Sequence, residues 1–155
     1  PPVHPLLAAV TLQGHGEGHA KLMQQYPHLH VMIALLRDGF HPDSKGGQVF
    51  LNADGSAVLD YVMTDALWDG VRRAWLSMAE IQFAAGAKSV LPIHEAAEPY
   101  PSWQAAQQAI ADLPLAILQA KLVSAHVMGG CAMSAREEQG VVNSYGPIGR
   151  SIICR

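Results

Sequence analysis

The run Ser124-Ala125-His126-Val127-Met128-Gly129-Gly130-Cys131-Ala132-Met133-Ser134 gathers the residue types best suited to chemistry in this chain. One imidazole stands just ahead of two adjacent glycines, in a stretch too rich in glycine to continue a helix. Glycine lacks a Cβ, so Gly129 and Gly130 allow backbone to lie close against a flat ligand. A histidine in that setting suits a general base, because imidazole changes charge near neutral pH. The same features also fit a histidine with a structural task beside a loop.

Other candidates are weaker. His15 and His19 are four apart and could share a helix face as metal ligands. Gly14, Gly16 and Gly18 weaken any helix there, at about 1 kcal/mol each relative to alanine, and no cysteine nearby completes a zinc set. No metal is therefore expected. His28 and His30 read as ordinary residues on one strand face, and His41 and His94 as solvated loop residues. Cys131 and Cys154 form neither a disulfide framework nor a metal-ligand spacing, which favours a reducing, cytoplasmic setting. Gly14-x-Gly16-x-Gly18 lacks the third glycine spacing and the acidic βαβ partner of a dinucleotide turn, and reads as a flexible loop.

These residues need a scaffold. The chain has 155 residues, half of them apolar and 15% charged, with a net charge of −3. That is enough for one domain with a real core. No Lys/Arg cluster offers the footprint of a nucleic-acid binder. No apolar run reaches the roughly 18–20 residues of a membrane span, and no signal peptide is visible. The chain opens Pro1-Pro2 and ends Ile152-Ile153-Cys154-Arg155, which suggests a fragment.

Residues 5–12 are apolar. His19 to Tyr26 reads as a short amphipathic helical turn stopped by Pro27, and residues 28–37 as a buried strand. Residues 48–51 and 57–63 flank Asn52-Ala53-Asp54-Gly55-Ser56, the pattern of a β-hairpin. Thr64 or Asp65 can cap a long helix whose apolar stripe runs Leu67, Val71, Ala74, Trp75, Met78, Ile81 and Ala85, with Gly86 closing it. Trp75, Met78 and Ile81 are expected to pack in the core. Residues 89–93 read as a short extended segment. Ser102 can cap a helix over Trp103–Leu113, ended by Pro114, and a further helical stretch is expected from Leu115 to about Leu122. The tail from Gly129 is rich in glycine. The mixture indicates an α+β fold, with helices on one face of an antiparallel sheet.

The 124–134 run resembles the His-Pro-x-Gly-Thr-x-x-Met-Gly signature of the glucose-methanol-choline (GMC) oxidoreductases. His126, Gly129 and Met133 match it. Val127, Gly130 and Ser134 stand where the family has Pro, Thr and Gly. The order strand, hairpin, long helix ending Ala84-Ala85-Gly86-Ala87, then Val90-Leu91-Pro92-Ile93-His94, is also similar to that family's C-terminal region, and the likeness covers roughly residues 25–145. The resemblance implies oxidation of an alcohol CH–OH group with hydride passing to FAD, the imidazole of His126 acting on the substrate hydroxyl proton. It implies a substrate-binding domain over 1–122, and over 123–155 a truncated catalytic-histidine segment returning toward an FAD-binding domain outside this chain. Gly129 and Gly130 would then line the cofactor. The family's second active-site His or Asn is not recognisable, since Asn143 stands in a different context.

Three outcomes follow for the sequence. The first is the flavoenzyme fragment, acting on a moderately hydrophobic small-molecule alcohol in the intact parent. The second is a non-catalytic α+β module that binds no flavin. The third is a small metal enzyme built on the histidines.

Overall fold

The computed structural model describes residues 3–124, 126, 132–136 and 138–147. They fall into two compact units. The first comprises the stretch up to Asp38 together with Thr64–Leu122; the second comprises Gly39–Met63 and the stretch from Val123 on. Among the described residues, four α-helices and two small antiparallel hairpins make an α+β fold, as the patterning indicates.

The first unit is built around two helices. Helix α3 (Asp65–Ala84) begins where Thr64 Oγ1 accepts the Leu67 N–H at 3.3 Å. This satisfies one of the four N–H groups that a helix start leaves without partners. It ends in a Schellman turn. The Ala87 N–H reaches the Gln82 carbonyl at 2.9 Å and the Gly86 N–H reaches Phe83 at 3.0 Å, with Gly86 at φ +90°, a value glycine adopts without a Cβ penalty. Helix α4 (Trp103–Asp112) is capped by Ser102, whose Oγ accepts the Ala105 N–H at 3.2 Å.

The core lies between α3 and α4. It joins Ala79 of α3 to Ala106 and Ile110 of α4, closed by Val90 and Tyr100 and flanked by Trp75, Leu76, Phe83 and Trp103. Val90 and Tyr100 exchange a pair of backbone hydrogen bonds at 3.0 and 2.9 Å, so the extended 89–93 segment forms one bridge with the loop after it. The buried line on α3 follows the expected stripe at Val71 and Trp75 but departs from it toward the C-terminal end. Trp75 packs against the core, but Ile81 is 55% exposed. Leu76, Ala79 and Phe83 take the inner face instead. Apolar residues surround this helix on more than one side, so its stripe alone does not fix which side α4 covers.

Helix α1 (Pro5–Thr11) forms from the apolar 5–12 stretch, with His4 Nδ1 accepting the Leu6 N–H at 3.2 Å. Helix α2 (Gly16–Gln24) starts three residues earlier than the sequence implies. Gly16 and Gly18, expected in a flexible loop, belong to its first turn. Helical cost for glycine is smallest there, because the first N–H groups carry no intrahelical bond in any case. A 3₁₀ turn at Tyr26–His28, containing Pro27, follows α2.

Two further expectations are corrected. Residues 28–37 form no strand. Leu29, Ile33, Leu35 and Leu36 are exposed. A strand exists only through a partner's ladder, and no described residue supplies one to this stretch. Residues 115–122 do not form an α-helix either. Only a single turn at Ala116–Ala120 forms, with Leu118 at φ +68°. The backbone of this stretch bonds instead to residues 93–95, a long-range pairing that local helical propensity does not outweigh.

In the second unit, strands β1 (Gly47–Leu51) and β2 (Ala57–Tyr61) pair antiparallel in the register Val49↔Leu59 and Leu51↔Ala57. The Asn52–Ser56 loop closes them as expected. Asn52 N–H donates to the Ser56 carbonyl at 2.9 Å, and Asp54 Oδ1 accepts the Ser56 N–H at 2.9 Å and its hydroxyl at 2.6 Å. The side chains of both strands are exposed. A second, smaller hairpin joins β3 (Val142–Asn143) to β4 (Gly146–Pro147).

Candidate active site

His126 lies in a bend of the second unit and is exposed. Its imidazole is thus not sealed in an apolar core. Gly129 and Gly130, the expected cofactor-lining pair, and Cys131 lie outside the described residues.

The segment that follows folds back on itself. Met133, the last residue matching the family signature, forms a parallel bridge with Val142. The Ser134 N–H donates to the Val142 carbonyl at 2.9 Å, and the Val141 N–H donates to the Ala132 carbonyl at 2.9 Å. Gly140 makes this return possible: a Cβ there would sit 2.5 Å from the Ala132 carbonyl oxygen and 2.8 Å from Ser134 Cβ, well inside contact distance. Asn143 Oδ1 accepts the Tyr145 N–H at 2.8 Å, so its side chain holds the β3–β4 turn. The need for glycine at 140 was signalled in sequence only by its place at a turn.

The remaining histidines are occupied or exposed. His19 Nε2 is 2.9 Å from the Ala9 carbonyl oxygen, a bond that takes up one ring nitrogen. Among the described residues no group of three or more His, Cys, Asp or Glu is placed to hold a metal ion. His41 is exposed, as expected. His94, expected to be solvated, is instead 0% exposed. Its Nε2 is 2.8 Å from the Pro114 carbonyl oxygen and its Nδ1 accepts the Ala96 N–H at 3.0 Å. With both nitrogens bonded, burial costs the imidazole little. A loop position alone carries no sign of such burial.

The comparison with known families decides the wider identity. The family model for the GMC oxidoreductase C-terminal region matches residues 42–148. This chain belongs to the GMC oxidoreductase family. No curated protein and no solved structure gives a significant match.

GMC oxidoreductases are in general FAD flavoproteins, so the described residues can be tested against that group. A dinucleotide is cradled by a strand–turn–helix unit with its phosphates at the helix start. The described strands are all antiparallel hairpin strands, and the Gly14–Gly18 run opens α2 with no strand before it. The described part of this GMC chain therefore offers no cradle for the nucleotide half. No helix among the described residues is long and apolar enough to cross a membrane.

Proposed function

We propose that this chain is the substrate-side part of an FAD-dependent oxidoreductase acting on the CH–OH group of a small alcohol, with His126 as the residue that handles the hydroxyl proton. The observation that carries the reading is the family match over residues 42–148, which takes in His126 and Met133 of the signature, together with the exposure of the imidazole.

The chemistry is economical. Hydride leaves a carbinol carbon readily only as its hydroxyl loses a proton, so an imidazole within hydrogen-bond reach lowers the barrier. The flavin would supply the electron acceptor, while the protein supplies placement and electrostatics. Gly129 and Gly130 would keep side chains out of the space beside the ring. Residues 1–122 would supply the substrate-binding region and residues 123–155 the catalytic segment, with the nucleotide held by a domain beyond this chain. The two widely spaced cysteines fit a reducing, cytoplasmic compartment, and the apolar composition fits a moderately hydrophobic alcohol.

The test is His126→Ala in the complete enzyme. Turnover is expected to fall by about 10²–10⁴, the usual contribution of a positioned acid–base group, with flavin absorbance retained. Turnover within a few-fold of the parent removes His126 from the chemistry.

A second reading is favoured by one observation, the lack of a dinucleotide cradle among the described residues. Under it, this chain by itself is a non-catalytic α+β module that binds no flavin. Expressed alone, it would then purify folded and colourless. A yellow preparation with stoichiometric flavin would contradict that reading.

A further inference from the structure

We propose that residues 29–36 become a β-strand by pairing antiparallel, about Ile33, with the same stretch of a second copy of this chain.

Helix α3 sets the path of the stretch. Gln82 Nε2 donates to the His30 carbonyl at 3.1 Å toward the C-terminal end of the helix. Leu36 lies against Gly70 toward the other end, where a Cβ on that glycine would sit 3.7 Å from Leu36 Cδ2. Gly70 and Gln82 are separated by about 18 Å of helix. An extended path from His30 to Leu36, about 20 Å, matches that span, whereas a helical one of about 9 Å falls short. Leu29 has extended backbone angles, and no helix or turn forms over residues 29–38. The stretch therefore runs extended along α3, in the opposite direction to it.

Its backbone has the shape of a strand without the ladder. Among the described residues, no backbone hydrogen bond involves residues 31–36. The side chains of Ile33 and Leu35 are 64% and 79% exposed. Exposed strand edges in native proteins carry lysine, proline or a bulge that discourages pairing. Val31-Met32-Ile33-Ala34-Leu35-Leu36 contains no charge, no proline and no glycine, so nothing in it opposes pairing.

Length and charge select the occupant. Pro27 precedes the run and Gly39, at φ +89°, follows it, so the best partner is an uncharged apolar strand of about the same length. Strands β1 and β2 are shorter, each has a polar residue inside it, Gln48 and Asp60, and they already pair with each other. A second 29–36 stretch matches throughout. In the antiparallel pair Val31 faces the partner's Leu35, Ile33 faces the partner's Ile33, and the two Arg37 side chains fall at opposite ends. Parallel pairing would set Arg37 against Arg37, and like charges directly opposite are destabilising. The antiparallel pair has the two-fold symmetry of most dimers, with Val31, Ile33 and Leu35 on one face.

Sedimentation and cross-linking of the 155-residue chain test this, in a Leu51→Lys, Leu59→Lys background that suppresses association through the β1–β2 hairpin and with Cys131→Ser and Cys154→Ser. A dimer is expected. Ile33→Lys, which sets two ammonium groups opposite each other, is expected to raise its dissociation constant by at least about tenfold. Directly opposite side chains have Cβ atoms about 5 Å apart, whereas Val31 and the partner's Val31 would lie about 13 Å apart. A thiol cross-linker that reaches the first distance and not the second is therefore expected to join an Ile33→Cys chain to itself, and a Val31→Cys chain to a Leu35→Cys chain, but not a Val31→Cys chain to itself. A chain that is monomeric at about 1 mM overturns the proposal, as does a dimer indifferent to Ile33→Lys. Joining of Val31→Cys chains to one another as readily as to Leu35→Cys chains also overturns it. If Ile33→Lys lowers the melting of α3, the cross-linking pattern alone decides.

Discussion

The guanidinium of Arg72, in the first half of α3, donates to the carbonyl of Leu113, just past the end of α4, at 3.0 Å. The same group donates to the Ala111 carbonyl at 2.7 Å and to that of Ile110. These are carbonyls that the end of a helix leaves unpaired, and a cation there also meets the negative end of the helix dipole. The side chain therefore ties the two helices of the core together at their weakest point.

Arg72→Met should accordingly destabilise the first unit by about 1.5–3 kcal/mol, the range for a hydrogen bond to a charged group. Arg72→Lys should restore only part of the loss, since a single ammonium cannot spread over three carbonyls as the planar fork does. Urea unfolding followed by tryptophan fluorescence measures both. Equal stability of the methionine variant and the parent would show that the clamp carries no net weight.

The tight return of residues 132–142 gives a second expectation. Gly140→Ala places a methyl 2.5 Å from the Ala132 carbonyl oxygen. Backbone and not a flexible side-chain tip is the obstacle, so the two chain segments must move apart. Such overpacking costs about 1–3 kcal/mol, and here it should break the Val141–Ala132 and Ser134–Val142 bonds. Faster exchange of the Val141 and Ser134 amides, with α3 amides unchanged, is the expected readout.

The hairpin turn carries a pH dependence whose sign is fixed. Asp54 is held below the usual carboxylate value of 3.8, first by the Ser56 hydroxyl and then by the Ser56 N–H. A depressed folded-state value means the stabilisation is present above the unfolded-state value and is lost as pH falls through the folded one. The turn should therefore loosen only in acid. Ser56→Ala removes the larger cause and should move the Asp54 titration back up. A carboxyl NMR titration of the two chains checks this, and coincident curves would contradict it.

What the sequence made legible were features with local causes. Thr64 and Ser102 cap their helices, Gly86 ends α3 and Asn52–Ser56 turns a hairpin, because in each case a side chain or a positive φ acts on backbone a few residues away. The family, shown by the match over residues 42–148, was legible in the same way, from adjacent residues of the 124–134 run. Features with distant causes were not legible. His94 looked solvated because its partner Pro114 lies far along the chain. Residues 115–122 looked helical because their bonds to 93–95 leave no trace in their own composition. Residues 28–37 carry the pattern of a buried strand, and the described residues supply neither the ladder nor the cover for it.

That last mismatch has its counterpart in β1 and β2. Val49, Phe50, Leu51, Leu59 and Tyr61 are all exposed, and a two-stranded hairpin by itself is marginally stable in water. By contrast, α3 buries Val71 and Ala79, and Ala79 packs against α4. In the chain expressed alone, hydrogen exchange should therefore be slow in the middle of α3 and fast throughout β1 and β2, since opening free energy follows local burial. The same apolar surface should drive concentration-dependent association. Replacing Leu51 and Leu59, at 73% and 76% exposure, by lysine should lower that association in sedimentation experiments while leaving the melting of α3 unchanged. Slow exchange in β1 and β2 of a monomeric chain would contradict this and mean that contacts beyond the hairpin stabilise it.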